Sequence, residues 1–278
     1  MKTAPPLAWV TGAGGLIGNY LVQRAPRCAP DWRVRGLTRA ALDLTDFAAV
    51  QRAIEADRPA LVIHCAALSR SPECEANPAL AQRLNVEVTR RLAELCATAS
   101  LVFFSTDLVF DGRAGNYDES AVPNPLSVYG RTKAEAERVV LQHPRPLVIR
   151  TSLNGGVSPT GDRSFNEELC RAWRAGRTLR LFTDEYRSPM HASVTAQAVW
   201  ELALAGATGV YHVAGAQRLS RWEIGQLVAA RHPELAPRIE ASSLREYQGP
   251  PRPPDTTLNC AKAQRRLTFR LPGLGVSQ

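Results

Sequence analysis

Two side chains at helical spacing carry the clearest chemical potential in the sequence. Tyr129 and Lys133 stand four residues apart in Tyr129-Gly130-Arg131-Thr132-Lys133, which places both on one face of a helix. A phenol alone, with an ordinary pKa of about 10, is a poor acid or base at neutral pH, but a neighbouring ammonium favours phenolate and lowers that value. Tyr129 paired with Lys133 would then protonate a carbonyl oxygen while a hydride reaches its carbon. A tyrosine and a lysine at this spacing are also common on ordinary helix surfaces, so the pair needs companions. The run Leu101-Val102-Phe103-Phe104-Ser105 reads as a strand whose carboxyl end delivers Thr106 and Asp107. A hydroxyl there can hydrogen-bond a substrate carbonyl beside the tyrosine. The alternatives are a turn or cap hydroxyl for Thr106 and a turn-capping carboxylate for Asp107.

A second group is built for phosphate. Leu7-Ala8-Trp9-Val10-Thr11 leads into Gly12-Ala13-Gly14-Gly15-Leu16-Ile17-Gly18 and then into a helix. Glycines allow the tight turn and close backbone approach to a pyrophosphate, which then meets the helix N-terminus. The spacing of Gly12, Gly15 and Gly18 is three and three, looser than GxGxxG, and points toward short-chain dehydrogenases. About twenty residues on, where an acid would bond the ribose of NAD, the second strand ends in Leu37-Thr38-Arg39. Arg39 can instead fork onto the 2′-phosphate of NADP, which favours NADPH; its other reading is a solvated loop residue.

These residues need a scaffold that presents strand ends, and the pattern supplies one. Apolar runs at 7–11, 33–38, 60–65, 101–105 and 147–150 alternate with helix-period stretches at 15–25, 46–57, 79–98 and 129–141. Strands alternating with helices of this length imply βαβ units, hence an α/β, Rossmann-type doubly wound parallel sheet with ligands beyond the strands' carboxyl ends. After Arg150 the pattern loosens into a loop around Asn154-Gly155-Gly156, a helix at 165–176, strands at 179–182 and 209–213, a helix at 221–231 and a proline-rich connection at 248–255. The expected organisation is a dinucleotide-binding domain over residues 1–150 and a smaller substrate-binding region over 151–278, partly interleaved with it.

Composition bounds the function classes. The 278 residues are 45% hydrophobic and 22% charged, as in a globular protein structured nearly throughout. A net charge of +8 is spread along the chain rather than gathered, which fits phosphorylated small molecules better than nucleic acid. Six cysteines form no CxxC pair and read as buried free thiols of a reducing compartment. No signal-peptide pattern and no stretch near the ~18 apolar residues of a membrane span occurs, so the expected location is the cytoplasm, away from membranes. His64 ends an apolar strand as a packed or cofactor-adjacent residue. His143, His191, His212 and His232 lack metal-ligand spacing, so no protein-held metal is expected.

With these motifs together, the chain resembles the extended short-chain dehydrogenase/reductases, and most closely the dTDP-4-dehydrorhamnose reductases. The resemblance rests on the glycine turn, Ser105-Thr106-Asp107-Leu108-Val109-Phe110-Asp111-Gly112 and the Tyr129 to Lys133 motif. It continues through Arg150-Thr151-Ser152, Asp184-Glu185-Tyr186-Arg187-Ser188-Pro189, Gly209-Val210-Tyr211-His212-Val213-Ala214-Gly215 and Arg252-Pro253 with Leu258. It implies Thr106, Tyr129 and Lys133 as a catalytic triad, with Lys133 also holding the nicotinamide ribose. It implies Asp43 and Leu44 beside the adenine, and Ala66, Ala67 and Leu68 lining the cofactor with Gly12, Gly14, Gly15, Leu16, Ile17, Gly18, Arg39, Tyr129 and Lys133. Asp107, Leu108, Leu153 and Arg187 would meet the sugar. The implied reaction is reduction of the keto group of a nucleotide-linked deoxysugar with NADPH, NADH being a possible substitute; some members use Mg²⁺, and a homodimer is possible. The chain departs from the family at Leu108, where tyrosine is usual, and at Leu153, where an aromatic is common, which leaves the sugar itself open.

Two other readings compete. The same motifs resemble the regulatory β subunit of methionine adenosyltransferase, a non-catalytic dinucleotide-binding module. A nucleotide-sugar epimerase or dehydratase, recycling tightly held NAD, is the third, and Arg39 argues mildly against it.

Overall fold

The computed structural model describes residues 4–274. Five strands arise in the first half: β1 (Leu7–Thr11), β2 (Arg33–Leu37), β3 (Leu61–His64), β4 (Ser100–Thr106) and β5 (Pro146–Thr151). They pair in parallel in the order β5-β4-β3-β1-β2, and a sixth strand, Gly209–His212, adds in parallel outside β5. In register, Thr11 stands beside His64 and His64 beside Phe103, so the site residues collect along one carboxyl edge.

Both faces of the sheet are covered, which is why its strands read as nearly continuous apolar runs. Successive side chains point to opposite faces. Ala8, Val10, Ile63, Val102 and Ile149 enter one core with the helices Leu16–Cys28 and Ala192–Leu204. Trp9, Val62, Leu101, Phe103 and Val148 enter the other, under the helices Phe47–Asp57, Val88–Leu95 and Val128–Val140. The helix predicted over 79–98 divides into Pro78–Gln82, a π-helical turn Arg83–Glu87 and Val88–Leu95.

The later half contributes to both regions. The helix Ala192–Leu204 lies on the first helix, where the Trp200 indole donates to the Leu21 carbonyl at 3.0 Å. A separate apolar cluster joins Phe165, Leu169 and Trp173 of the helix Phe165–Arg174 to Ile224 and Val228 of the helix Arg221–Arg231. Both helices open with a capping box, Ser164 with Glu167 and Ser220 with Glu223, which satisfies otherwise orphaned backbone donors. All six cysteines are free, Cys74, Cys96 and Cys170 buried and the others half-buried.

Candidate functional site

The glycine turn is held at the closest backbone approach in the site. Gly12 has φ +68°, and a Cβ there would lie 2.7 Å from the Ala66 backbone nitrogen, so only glycine fits. A Cβ on Gly18 would lie 2.3 Å from the Gly12 carbonyl oxygen, which seats the first helical turn directly on the loop. Gly14 has ordinary space around it, and the Gly15 N–H donates to the Gly12 carbonyl at 2.9 Å. The helix begins at Leu16, Ile17 and Gly18 without a side-chain cap and without an acid in its first turn. Its opening N–H groups and positive dipole end thus face the loop unopposed by carboxylate. This cradle fits a dinucleotide pyrophosphate.

Buried hydroxyls tie the cradle to the rest of the edge. Thr11 donates to His64 Nδ1 at 2.7 Å and accepts from the Cys65 and Ala66 N–H groups. His64 Nε2 donates to Thr89 at 3.1 Å, and Thr89 passes its own proton to the Asn85 carbonyl. Asn85, in the π turn, grips the Leu68 backbone through Oδ1 at 2.8 Å and Nδ2 at 3.1 Å and also donates to Thr132. His64 is wholly buried, and that burial, aided by the Lys133 charge, holds it neutral with a pKa of about 3. The loop Ala66-Ala67-Leu68 is therefore fixed from both sides. Asn85 was not singled out by the sequence pattern, where it is one polar residue in a helical run.

At the other end of the cradle, Arg39 follows β2 on a fully solvated stem, its side chain 85% exposed, with Nε 3.9 Å from Asp43. Asp43 accepts from the Thr45 N–H and hydroxyl, which hold its carboxyl below the usual range. Leu44 packs at the margin of the core beneath. Ala13 N–H bonds the Leu37 carbonyl, so the segment bearing Arg39 abuts the glycine turn.

The candidate reactive groups gather around the end of β4. A Cβ on Gly130 would lie 2.3 Å from the Leu108 carbonyl oxygen, and this contact lets the helix Val128–Val140, capped by Ser127, press Tyr129 against Thr106. The Thr106 hydroxyl is hydrogen-bonded to the phenol, donates to Asp107 Oδ1 at 3.1 Å and accepts from the Leu108 N–H. Its proton is thus directed at Asp107 rather than toward a substrate oxygen. Tyr129 corrects the expectation from spacing. Burial, then the Asp107 charge, push its pKa upward, against a smaller lowering by Thr106. The phenol keeps its proton. Lys133 is 3% exposed, with Nζ 3.9 Å over the Phe103 ring. Burial pushes its ammonium down to about 7, against the pull of Glu137.

Asp107 is a hub. It accepts from Ser152 at 2.6 Å and Thr256 at 2.9 Å, and Arg187 Nε stands 3.7 Å away. Arg187 is 4% exposed and committed to Glu185 at 3.0 Å and to the Tyr186 and Pro253 carbonyls. Glu185 also takes a bidentate contact from Arg252 at 2.6 and 3.0 Å, and the Arg221 charge bears on it too. Three arginines thus surround two carboxylates, a local cationic excess continuous with the reactive groups. Leu108 is half-buried beside Thr106. Leu153 packs at the edge of the Phe165 cluster and so joins the two regions.

Among the described residues, no three His, Cys, Asp or Glu side chains come together that could hold a metal ion such as the Mg²⁺ that the resemblance left possible. No described helix is long and apolar enough to cross a membrane.

Comparison with known proteins covers nearly the whole chain. The family model described as the RmlD substrate binding domain matches residues 8–274. A dTDP-4-dehydrorhamnose reductase of Streptomyces griseus is 36% identical over 223 residues, covering 76% of this chain and 72% of the relative. The methionine adenosyltransferase 2 subunit beta of Xenopus laevis is 30% identical over 285 residues, covering 95% of this chain and 85% of the relative. The crystal structure of dTDP-4-dehydrorhamnose reductase from Bacillus anthracis in complex with NADP superposes with a TM-score of 0.87 at 24% identity, covering 96% of this chain and 95% of that one.

Proposed function

The chain belongs to the RmlD substrate-binding domain family, and from that membership we propose that it reduces the keto group of a nucleotide-linked deoxysugar with NADPH. The observation that carries the reading is the meeting of a protonated Tyr129 with Thr106 and Lys133 on the edge that also bears the Gly12 cradle. The Bacillus anthracis structure in complex with NADP supports the cofactor, and the Streptomyces griseus relative supports the substrate class.

Gly12, Gly14, Gly15 and the turn Leu16-Ile17-Gly18 would hold the pyrophosphate, Arg39 the 2′-phosphate, and Asp43 and Leu44 the adenine end. Ala66, Ala67 and Leu68 would line the middle, with Tyr129 and Lys133 at the nicotinamide ribose. When bound, the reduced nicotinamide supplies the hydride. The protein's own work is proton delivery. Tyr129, kept neutral by burial and by Asp107, hands its proton to the carbonyl oxygen, where a preserved phenol is the required state. Lys133, poised near neutrality, is the adjacent group able to return a proton. The cationic excess of Arg187, Arg221 and Arg252 over Glu185 and Asp107 suits a diphosphate. Leu108 and Leu153 would leave an apolar, non-stacking sugar pocket, with Asp107 and Arg187 fixing its wall.

The second reading, a regulatory subunit without catalysis, draws on the Xenopus laevis relative. Loss of nicotinamide absorbance on adding a dTDP-4-keto-6-deoxysugar to protein and NADPH tests the first. A Tyr129→Phe variant that retains full turnover removes Tyr129 from the mechanism. Absence of turnover together with co-purification of a methionine adenosyltransferase supports the second. A changed sugar without net NADPH consumption points instead to epimerisation or dehydration.

A further inference from the structure

A buried line of charge runs beneath Lys133, and the reductase mechanism above makes no use of it. Glu137 follows Lys133 by one helical turn and is 2% exposed. Its carboxylate is taken by Arg150 of β5 through three contacts, Nε to both oxygens at 3.0 and 3.2 Å and Nη2 to Oε2 at 2.7 Å, and by the Ser105 hydroxyl. Arg150, 3% exposed, lies over the Phe110 ring and donates to His212 Nε2 at 3.4 Å, while His212 Nδ1 donates to the Tyr117 carbonyl. Both histidine nitrogens are accounted for, so the ring is neutral. The line therefore places two basic groups, Lys133 and Arg150, around one carboxylate, with Arg150 alone hydrogen-bonded to it.

The other groups facing Lys133 leave Glu137 as its one nearby anion. They are the neutral His64 at the end of β3 and the thiol of Cys65 just after it, Phe103 on β4, and the protonated Tyr129 on its own helix. Spacing four apart would normally let Glu137 pair with Lys133. The geometry of Arg150 prevents it, because a forked guanidinium saturates the oxygens of a buried carboxylate.

We propose that Arg150 and Glu137 are positioning residues that set the charge of Lys133, Arg150 by rationing how much of the Glu137 carboxylate Lys133 can feel. The charge-setting itself requires no cofactor; its catalytic meaning rests on the reductase reading.

The chain contains only three lysines, Lys2, Lys133 and Lys262, so lysine labelled with ¹³C at Cε gives a spectrum in which Lys133 is assigned by its loss in Lys133→Met. The titration midpoint of that resonance is followed in the free full-length protein. In Arg150→Gln, Glu137 turns to Lys133 and the midpoint rises by about one pH unit or more, a tenfold gain in proton affinity. In Glu137→Gln, Lys133 loses its anion and the midpoint falls. Arg150→Lys keeps a cation in place and returns it toward the wild-type value. Midpoints unchanged in both single variants, or moved in the same direction, overturn the proposal. If the stranded charge unfolds the single variants, Glu137→Gln with Arg150→Gln removes the pair together, a change that buried sites tolerate better. There the loss of the nearer group dominates and the midpoint falls, by less than in Glu137→Gln; a wild-type midpoint overturns the proposal. The pH profile of NADPH consumption with a dTDP-4-keto-6-deoxysugar moves with the resonance if Lys133 serves turnover. A shifted resonance without turnover refutes the reductase reading and leaves the charge-setting intact.

Discussion

Lowering the pH from 7 to 5 should weaken this protein sharply, through two histidines that the fold forces to stay neutral. His64 and His212 are both buried and held near a pKa of about 3, His64 by burial and Lys133, His212 by burial and Arg150. In the unfolded chain each titrates at the ordinary value of about 6.5. The folded state therefore binds fewer protons than the unfolded state between those values, and stability falls as pH falls through that window. At pH 5 the unfolded histidine has gained about 1.5 units of protonation free energy, close to 2 kcal/mol each and about 4 kcal/mol for the pair. Lys133, already half protonated at pH 7 in the fold, adds only about 0.4 kcal/mol. Against a total stability of about 5–15 kcal/mol, this is a large fraction. Urea unfolding at the two pH values measures the loss. The variant His64→Gln carries its own cost at pH 7, but its further loss on going to pH 5 should be halved. A variant that loses as much as the wild type between pH 7 and 5 would falsify the assignment, because structural damage alone has no reason to be pH-dependent. The site should feel the same change, since a proton on His64 Nδ1 displaces the Thr11 hydroxyl that braces the loop against the glycine turn.

Three further outcomes are expected. Tyr129→Phe should lower kcat by about 10²–10⁴-fold while NADPH binding, followed by fluorescence, changes little, as for loss of a general acid. Gly12→Ala should cost at least about 1–2 kcal/mol from its left-handed backbone alone. Its contact with the Ala66 backbone should also abolish dinucleotide binding, read by titration calorimetry. Arg39→Ala should raise KM for NADPH about tenfold or more, with KM for NADH nearly unchanged, if the guanidinium meets a 2′-phosphate through a charge-assisted fork of about 1.5–3 kcal/mol.

The edge of the sheet is readable from sequence because the glycine turn, Ala66-Ala67 and Thr106-Asp107 each lie at or just after a strand's carboxyl end. The strand predicted at 7–11, the strand at 179–182 and the helix at 221–231 form on those residues. The helix Ala192–Leu204 escapes the same reading. Nine of its thirteen residues are buried, so it has no polar face to create a 3.6-residue period. The break at Asn85 escapes because a π turn has no compositional mark. The sign of the Tyr129 shift is the most instructive divergence. Spacing places a cation four residues away, yet the environment is dominated by burial and by Asp107, a charge brought in by β4. Glu137 and Arg150 are likewise invisible as a pair, since thirteen residues separate them and only the closing of β5 against the helix brings them together. The resemblance gives Arg187 as a residue that would meet the sugar, and the fold holds its guanidinium buried against Glu185 and Asp107, neighbours that the sequence does not reveal.

The return of the strand Gly209–His212 to β5 sets an order on synthesis. Until residue 204 has left the ribosome, the first helix lacks the cover of Trp200, and until residue 212 has followed, β5 presents a row of unpaired backbone groups. The first 150 residues can therefore form most of a sheet but leave β5 as its edge, where the complete chain places the short strand Gly209–His212. An open parallel edge is a template for another chain. A fragment cut after Arg150 should aggregate rather than act as a free-standing dinucleotide binder, and in the cell the nascent chain would need its edge shielded until the later residues arrive.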